Sequence, residues 1–222
     1  VSIQSLGPEL EAAMTGVSWR PGCPVALDDL RQVRVPYWKF DGGTATGTII
    51  VHADVATDVL AVFTELHRQR FAIRRVQPVH LYGGTGNPDE GGDDFASIED
   101  DNTSAFNCRL RTGGGVYSQH AYGTAIDLNP LENPYVGASG STSHPASVPY
   151  LDRRDRQGVI TSGGAVEQAF TGIGNDYQPP AAAELQIDTS GRTVADATDE
   201  IERMLTESGI LFDELVDLAA NI

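Results

Sequence analysis

The stretch Ser118-Gln-His120-Ala-Tyr-Gly123-Thr-Ala-Ile-Asp127 sets an imidazole and a carboxylate seven residues apart around a glycine. In a helix that spacing is two turns, about 10 Å along the axis, too far for one metal ion. A hairpin turning at Gly123, with strands over residues 115–120 and 124–128, would place the two side chains across chains about 5 Å apart. An imidazole nitrogen and a carboxylate oxygen would then reach one point, and both are donor types that bind zinc. Small Ala121 and Ala125 keep such a turn tight. The same spacing suits a hairpin in which Asp127 only bonds its own turn, so the pattern alone leaves both readings open.

The elements that would carry this hairpin follow from hydrophobic patterning. Residues 1–47 are mixed and turn-rich, with Trp19-Arg20-Pro21-Gly22-Cys23-Pro24 and Phe40-Asp41-Gly42-Gly43. Residues 48–52 (TIIVH) are β-branched and predict a strand. Asp54 then caps a helix whose apolar stripe is Val55, Val59, Val62, Phe63 and Leu66, and Arg68 to Arg70 suit its C-terminal end. Residues 71–79 predict a second strand. Residues 83–102 form a long polar loop of the kind that is functional or mobile, and residues 129–149 form another, rich in Pro, Ser and Gly. Residues 165–170 predict a helix, and 172–178 a glycine-containing link. The whole reads as an α+β domain built on a small, mostly antiparallel sheet with flanking helices.

Bulk composition bounds the partners. The 222 residues carry 31 acids against 15 bases, a formal charge of −16, which repels nucleic acid and anionic membrane surfaces. No apolar run is long enough to insert in a membrane. The acid is concentrated: residues 179–222 hold ten acids and two bases, which marks residues 1–178 and 179–222 as separate pieces. In the second piece, residues 184–189 predict a strand, and 194–205 and 211–220 amphipathic helices, a strand–helix–helix appendage. The two cysteines, Cys23 and Cys108, fit one disulfide in an exported protein or two buried thiols. The opening Val-Ser-Ile-Gln lacks the basic start and apolar core of a secretory leader.

Beyond spacing, three runs together resemble the M15 family of zinc peptidases: 102–109 (NTSAFNCR), Ser118 to Pro130, and Asn133-Pro-Tyr-Val. The Ser-x-His-xxx-Gly-x-Ala-x-Asp pattern resembles in particular the D-alanyl-D-alanine carboxypeptidase-like branch, which includes L-alanyl-D-glutamate endopeptidases. Gly22-Cys-Pro24, Phe40-Asp41-Gly42 and the 150–153 step followed by Gly158 extend the likeness over roughly residues 15–178. The resemblance implies a hedgehog/DD-peptidase-like fold, a zinc cofactor held by His120 and Asp127, and Ser118 lining the site. It gives Arg109 the substrate carboxylate or the developing oxyanion, with Arg111 a nearby competitor for that role. It also implies a peptidoglycan stem peptide as substrate and a secreted or cell-wall location. Cys23 lies in the segment matching the family's opening and Cys108 beside Arg109, so a Cys23–Cys108 disulfide is expected to pin that segment under the site.

One place departs from the family. Its closing Asp-x-x-His motif supplies a general base and the third zinc ligand; here it reads Asp176-Tyr-Gln-Pro179. Asp176 matches the base, but Pro179 has no side-chain donor, and the tryptophan- and glycine-rich segment that precedes the motif is absent. Among the other histidines, His144 is the candidate substitute; His52, His67 and His80 belong to the framework. The stretch 183–194 is similar to the C-terminal segment of small P-loop kinases, but no Gly-x-x-x-x-Gly-Lys-Ser/Thr loop occurs, so no nucleotide is expected.

Overall fold

The computed structural model describes residues 1–87, 89–111, 114–137, 139–171 and 203. The chain divides into two units, Val1–Asn175 and Asp176–Ile222. Asp176, Pro179 and the expected strand–helix–helix appendage lie outside the described residues.

The first unit is α+β. Three antiparallel strands, Ser2–Ser5 (β1), Leu30–Trp38 (β2) and Thr44–His52 (β3), pair in the order β1-β2-β3. The long β2–β3 ladder sets Leu30 opposite His52 and Trp38 opposite Thr44. Strand alternation sends Val33, Val35, Ile49 and Val51 to one face of the sheet. There they meet Val59, Val62, Phe63 and Leu66 of the helix Ala56–Arg68 (α2). Leu30 and Ile50 join a second cluster with Leu6, Met14, Phe106 and Cys108. With apolar groups on both faces, the run Ile49-Ile50-Val51 stays uninterrupted. Each fully buried aliphatic or aromatic side chain contributes about 1.5–3 kcal/mol relative to exposure, and Phe63, Leu66 and Ile49 are all 1% exposed or less.

The stripe expected around Val59 to Leu66 is the buried face of α2. Its entry differs from expectation. A 3-10 turn, Ala53–Val55, precedes the helix, and His52 caps that turn, its Nδ1 accepting from the Asp54 amide at 3.2 Å. Asp54 therefore lies inside the turn instead of capping it, with its carboxylate 3.4 Å from His52 Nδ1.

Several other expectations are corrected. Residues 1–47 contain β1, the helix Pro8–Met14 (α1) and the nine-residue β2; the arginines and Pro36 within β2 hide its alternation. The strand expected over 71–79 shrinks to Arg75–Val76 (β4), which pairs in parallel with Asn102–Thr103 (β5). The polar stretch 83–102 contains a helix, Asp94–Glu99 (α3), capped by Asp93, whose side chain accepts from the Ala96 amide. Within 129–149 begins a 3-10 segment, Pro145–Tyr150. The helix expected at 165–170 is Ala165–Thr171 (α4).

The hairpin across Gly123 does not form. Gln119–Tyr122 is a 3-10 turn ending at Gly123, which takes φ +68°. Tyr117 bridges to Leu110, and Asp127 bridges to Ser104. Both halves of the expected hairpin therefore lean on the segment 104–110, not on each other. Gly123 is needed for contact as well as for conformation: a Cβ there would lie 2.7 Å from the His52 nitrogen. Cys23 and Cys108 form the expected disulfide, with Cα atoms 6.0 Å apart. Among the described residues no helix is long and apolar enough to cross a membrane.

Candidate active site

Segment 102–109 runs beside the free edge of β3, where the Phe106 amide donates to the Ile50 carbonyl at 3.0 Å. His120 and Asp127 are attached to this segment at separate points. The Asn107 amide donates to the His120 carbonyl at 3.1 Å, and Ser104 and Asp127 exchange two backbone bonds at 2.9 and 3.1 Å. The outcome is the juxtaposition that the hairpin was expected to give, reached by another route: His120 Nε2 lies 3.3 Å from Asp127 Oδ2.

The imidazole is fixed by its other nitrogen. His120 Nδ1 sits 2.7 Å from the Ala105 carbonyl oxygen, which can only accept, so Nδ1 carries hydrogen. Nε2 is thereby directed toward Asp127. This is the arrangement in which a backbone carbonyl orients a metal-binding histidine. Burial works against the imidazolium, but the hydrogen bond and charge of Asp127, the Ala105 carbonyl and the charge of Asp94 outweigh it, and the His120 pKa is raised. For Asp127, burial would push the carboxyl up; the bond and charge of His120 and the charge of Arg109 win, and its pKa is lowered.

Ser118 is buried and caps the 3-10 turn, its oxygen accepting from the His120 amide at 3.4 Å. Its hydroxyl thus acts on the turn that carries the imidazole. Arg109 packs its Nε against Asp94 Oδ2 and donates from Nη1 to the Leu110 carbonyl at 3.3 Å. Asp94 also accepts from Asn107 Nδ2 at 2.7 Å. Asn107, 1% exposed, grips both backbone groups of Gly92 as well, at 2.9 and 3.1 Å. Burial raises the Asp94 carboxyl against the pull of Arg109, Asn107 and His120. Asp94 and Asn107 were not singled out from the sequence. The available signal was Asp93-Asp94 before the short apolar-spaced run Phe95 to Ile98, a helix start.

Asp94 and Arg109 also line a cleft of about 570 Å³ whose walls include Glu90, Phe95 and the exposed Arg111. Asp127 borders a smaller apolar hollow of about 210 Å³ on another side, between Val62, Leu66, Ile126 and Phe170. His144 is not directed at the pair. It is 3% exposed, its Nδ1 meets Ser143 Oγ at 2.8 Å, its Nε2 meets the Phe95 carbonyl at 3.1 Å, and its ring stacks on Phe95. His52 serves the turn before α2, and His67 packs edge-on to Trp38. His80 is buried, which lowers its pKa.

His120 and Asp127 thus offer two donors of the types zinc takes, with the imidazole tautomer set. A catalytic zinc takes three protein ligands. Among the described residues no group of three His, Cys, Asp or Glu side chains is placed to hold a metal ion, and Asp176 lies outside them.

No curated protein and no solved structure matches the chain. Residues 111–178, which include Ser118, His120 and Asp127, match an M15 peptidase family model described as D-alanyl-D-alanine carboxypeptidase.

Proposed function

We propose that the chain hydrolyses an amide next to a D-residue in peptidoglycan stem peptides, with a zinc ion held by His120 and Asp127. The observation that carries this reading is the approach of His120 Nε2 to Asp127 Oδ2, with Nδ1 tied to the Ala105 carbonyl, inside the region that matches the carboxypeptidase family. Zinc, when bound, would supply Lewis-acid polarisation of the scissile carbonyl and activation of water. Arg109 would hold the substrate's carboxylate or the developing oxyanion with its free edge, while Asp94 and Asn107 keep the guanidinium in place. Ser118 would hold the turn that aims the imidazole. Asp176 would take the proton from the attacking water and pass it to the leaving amine. The disulfide supports a secreted or cell-wall location, since such bonds persist in oxidising compartments.

A second reading is favoured by Pro179, which stands where the family's third ligand is expected. In it the chain keeps the fold, holds zinc weakly and binds stem peptides without turning them over. Zinc titration of the purified chain with a stem-peptide assay separates the two. Stoichiometric zinc and hydrolysis, both lost in His120→Ala and Asp127→Ala, establish the first reading. Weak zinc with peptide binding but no cleavage establishes the second. A chain that binds no stem peptide in either state overturns both.

A further inference from the structure

Two carboxyls that the proposed chemistry does not use are buried together. Asp101 is 3% exposed and Glu132 2%, and the two lie within hydrogen-bonding reach of one another. Ionised carboxylates only accept hydrogen bonds, so two of them in contact repel, and burial removes the water that would screen them. One cation serves both: Arg74 reaches Asp101 Oδ2 from Nε at 3.4 Å and Glu132 Oε1 from Nη2 at 3.3 Å. Arg74 is half-exposed and lies over the Phe40 ring. Asp101 Oδ1 accepts from the Leu131 amide at 2.9 Å, whereas Glu132 Oε2 is buried with no partner.

The neighbouring charges are already engaged. Asp100 pairs with Arg75 at 2.9 Å and accepts from the Tyr82 hydroxyl at 2.6 Å. Arg153 donates to the Pro134 carbonyl at 2.6 Å. Among the described residues no second cation pairs with Asp101 or Glu132. The donor missing from the cluster is a proton.

The backbone around the pair is demanding. Asp101 and Asn129 both take left-handed φ, +51° and +43°. Leu131 hangs from the Asp101 carboxyl, and Asn133 donates back to the Asn129 carbonyl at 3.2 Å. This turn begins two residues after Asp127.

We infer that Asp101 and Glu132 share a single proton and form a pH-dependent clasp that fastens the 129–133 turn to the body of the first unit. Burial first, then the Glu132 carboxyl, raise the Asp101 pKa to about 8, against the lowering pull of the Leu131 amide and Arg74. In the unfolded chain the same carboxyl titrates near 4. The folded protein therefore keeps a proton that the unfolded chain has released. Stability from the clasp is complete below about pH 4 and declines by roughly tenfold in the folding constant per pH unit up to about pH 8.

The test is thermal and denaturant unfolding of the full chain between about pH 5 and 9 for wild type, Glu132→Gln and Asp101→Asn. A carboxamide donates at every pH, and asparagine tolerates left-handed φ. Each variant should gain on wild type as pH rises toward 8, by up to about tenfold in the folding constant per pH unit. Parallel profiles for wild type and variants would overturn the clasp. If neither variant folds, carbon-13 NMR of the wild-type carboxyls decides. A carboxyl of the pair titrating near 8 supports the shared proton; both titrating below about 6 rules it out.

Discussion

Residues 1–76 and residues 77–160 hold their backbones in different ways. In the first stretch, strands and helices hold most of the residues, and the interior is aliphatic and aromatic. Among the described residues of the second, regular structure is limited to β5, α3 and short 3-10 turns, and asparagines replace the ladder. Asn102 bonds both backbone groups of Gln77, Asn107 those of Gly92, and Asn129 the Ala72 and Gly158 carbonyls and the Arg74 amide. A ladder spreads its energy over many equivalent bonds, whereas an asparagine node concentrates three bonds in one side chain. His120 and Asp127 belong to the second kind of region, so their geometry should depend on single polar residues distant from them.

The largest effect should come from cutting the covalent tie between the two stretches. Cys23→Ser with Cys108→Ser opens a loop of separation 85, which in the chain-entropy treatment costs about 4–5 kcal/mol. Denaturant unfolding of the double variant measures it. Next, Phe63→Ala empties a site in the regular core and should cost about 3–5 kcal/mol. Asn129→Ala removes no comparable volume, yet it strips partners from the Ala72 carbonyl and the Arg74 amide at about 1–3 kcal/mol each, while the Gly158 carbonyl keeps Asn133. Its loss should approach that of Phe63→Ala; a loss under about 1 kcal/mol would break the comparison.

A smaller effect is pH-dependent. In the proposed reading, zinc would bind the neutral form of His120, whose pKa is raised. Below that pKa a proton must leave before metal enters, so zinc affinity should fall about tenfold per pH unit as pH drops. Calorimetry in two buffers of different ionisation heat should show proton release on the acid side; none at about pH 6 would contradict the raised value. The least effect belongs to the exposed Lys39–Asp41 pair in the β2–β3 turn. Lys39→Ala should leave the melting temperature unchanged, because exposed pairs gain little over their hydrated ions. A shift as large as that of Asn129→Ala would mean that surface charge, not buried amide nodes, separates the two stretches.

The same contrast explains what could be read from the residues alone. The stripe Val59, Val62, Phe63 and Leu66 is periodic and the run Thr48 to His52 is β-branched, and each lies in the kind of element its pattern implies. β2 escaped because charged residues and a proline interrupt Val33 and Val35. The pairing of His120 with Asp127 was legible as a motif but not as a mechanism of folding. The hairpin was the simplest way to join residues seven apart. The Ser104 and Asn107 bonds that join them instead are non-periodic and leave no pattern. Asp94 was hidden for a related reason: its role depends on Asn107 and Arg109, 13 and 15 residues further along.

The segment that aims the imidazole also has a colloidal role. β3 is an outer strand of the sheet, and a bare outer strand invites pairing with another chain. Here the Phe106 amide occupies the Ile50 carbonyl, and the Gly123 carbonyl occupies the His52 amide. The apolar run Ile49-Ile50-Val51 is therefore closed to intermolecular extension by the same stretch of chain that positions His120. Changes that loosen that stretch, such as a bulky residue at Gly123, should show first as concentration-dependent aggregation.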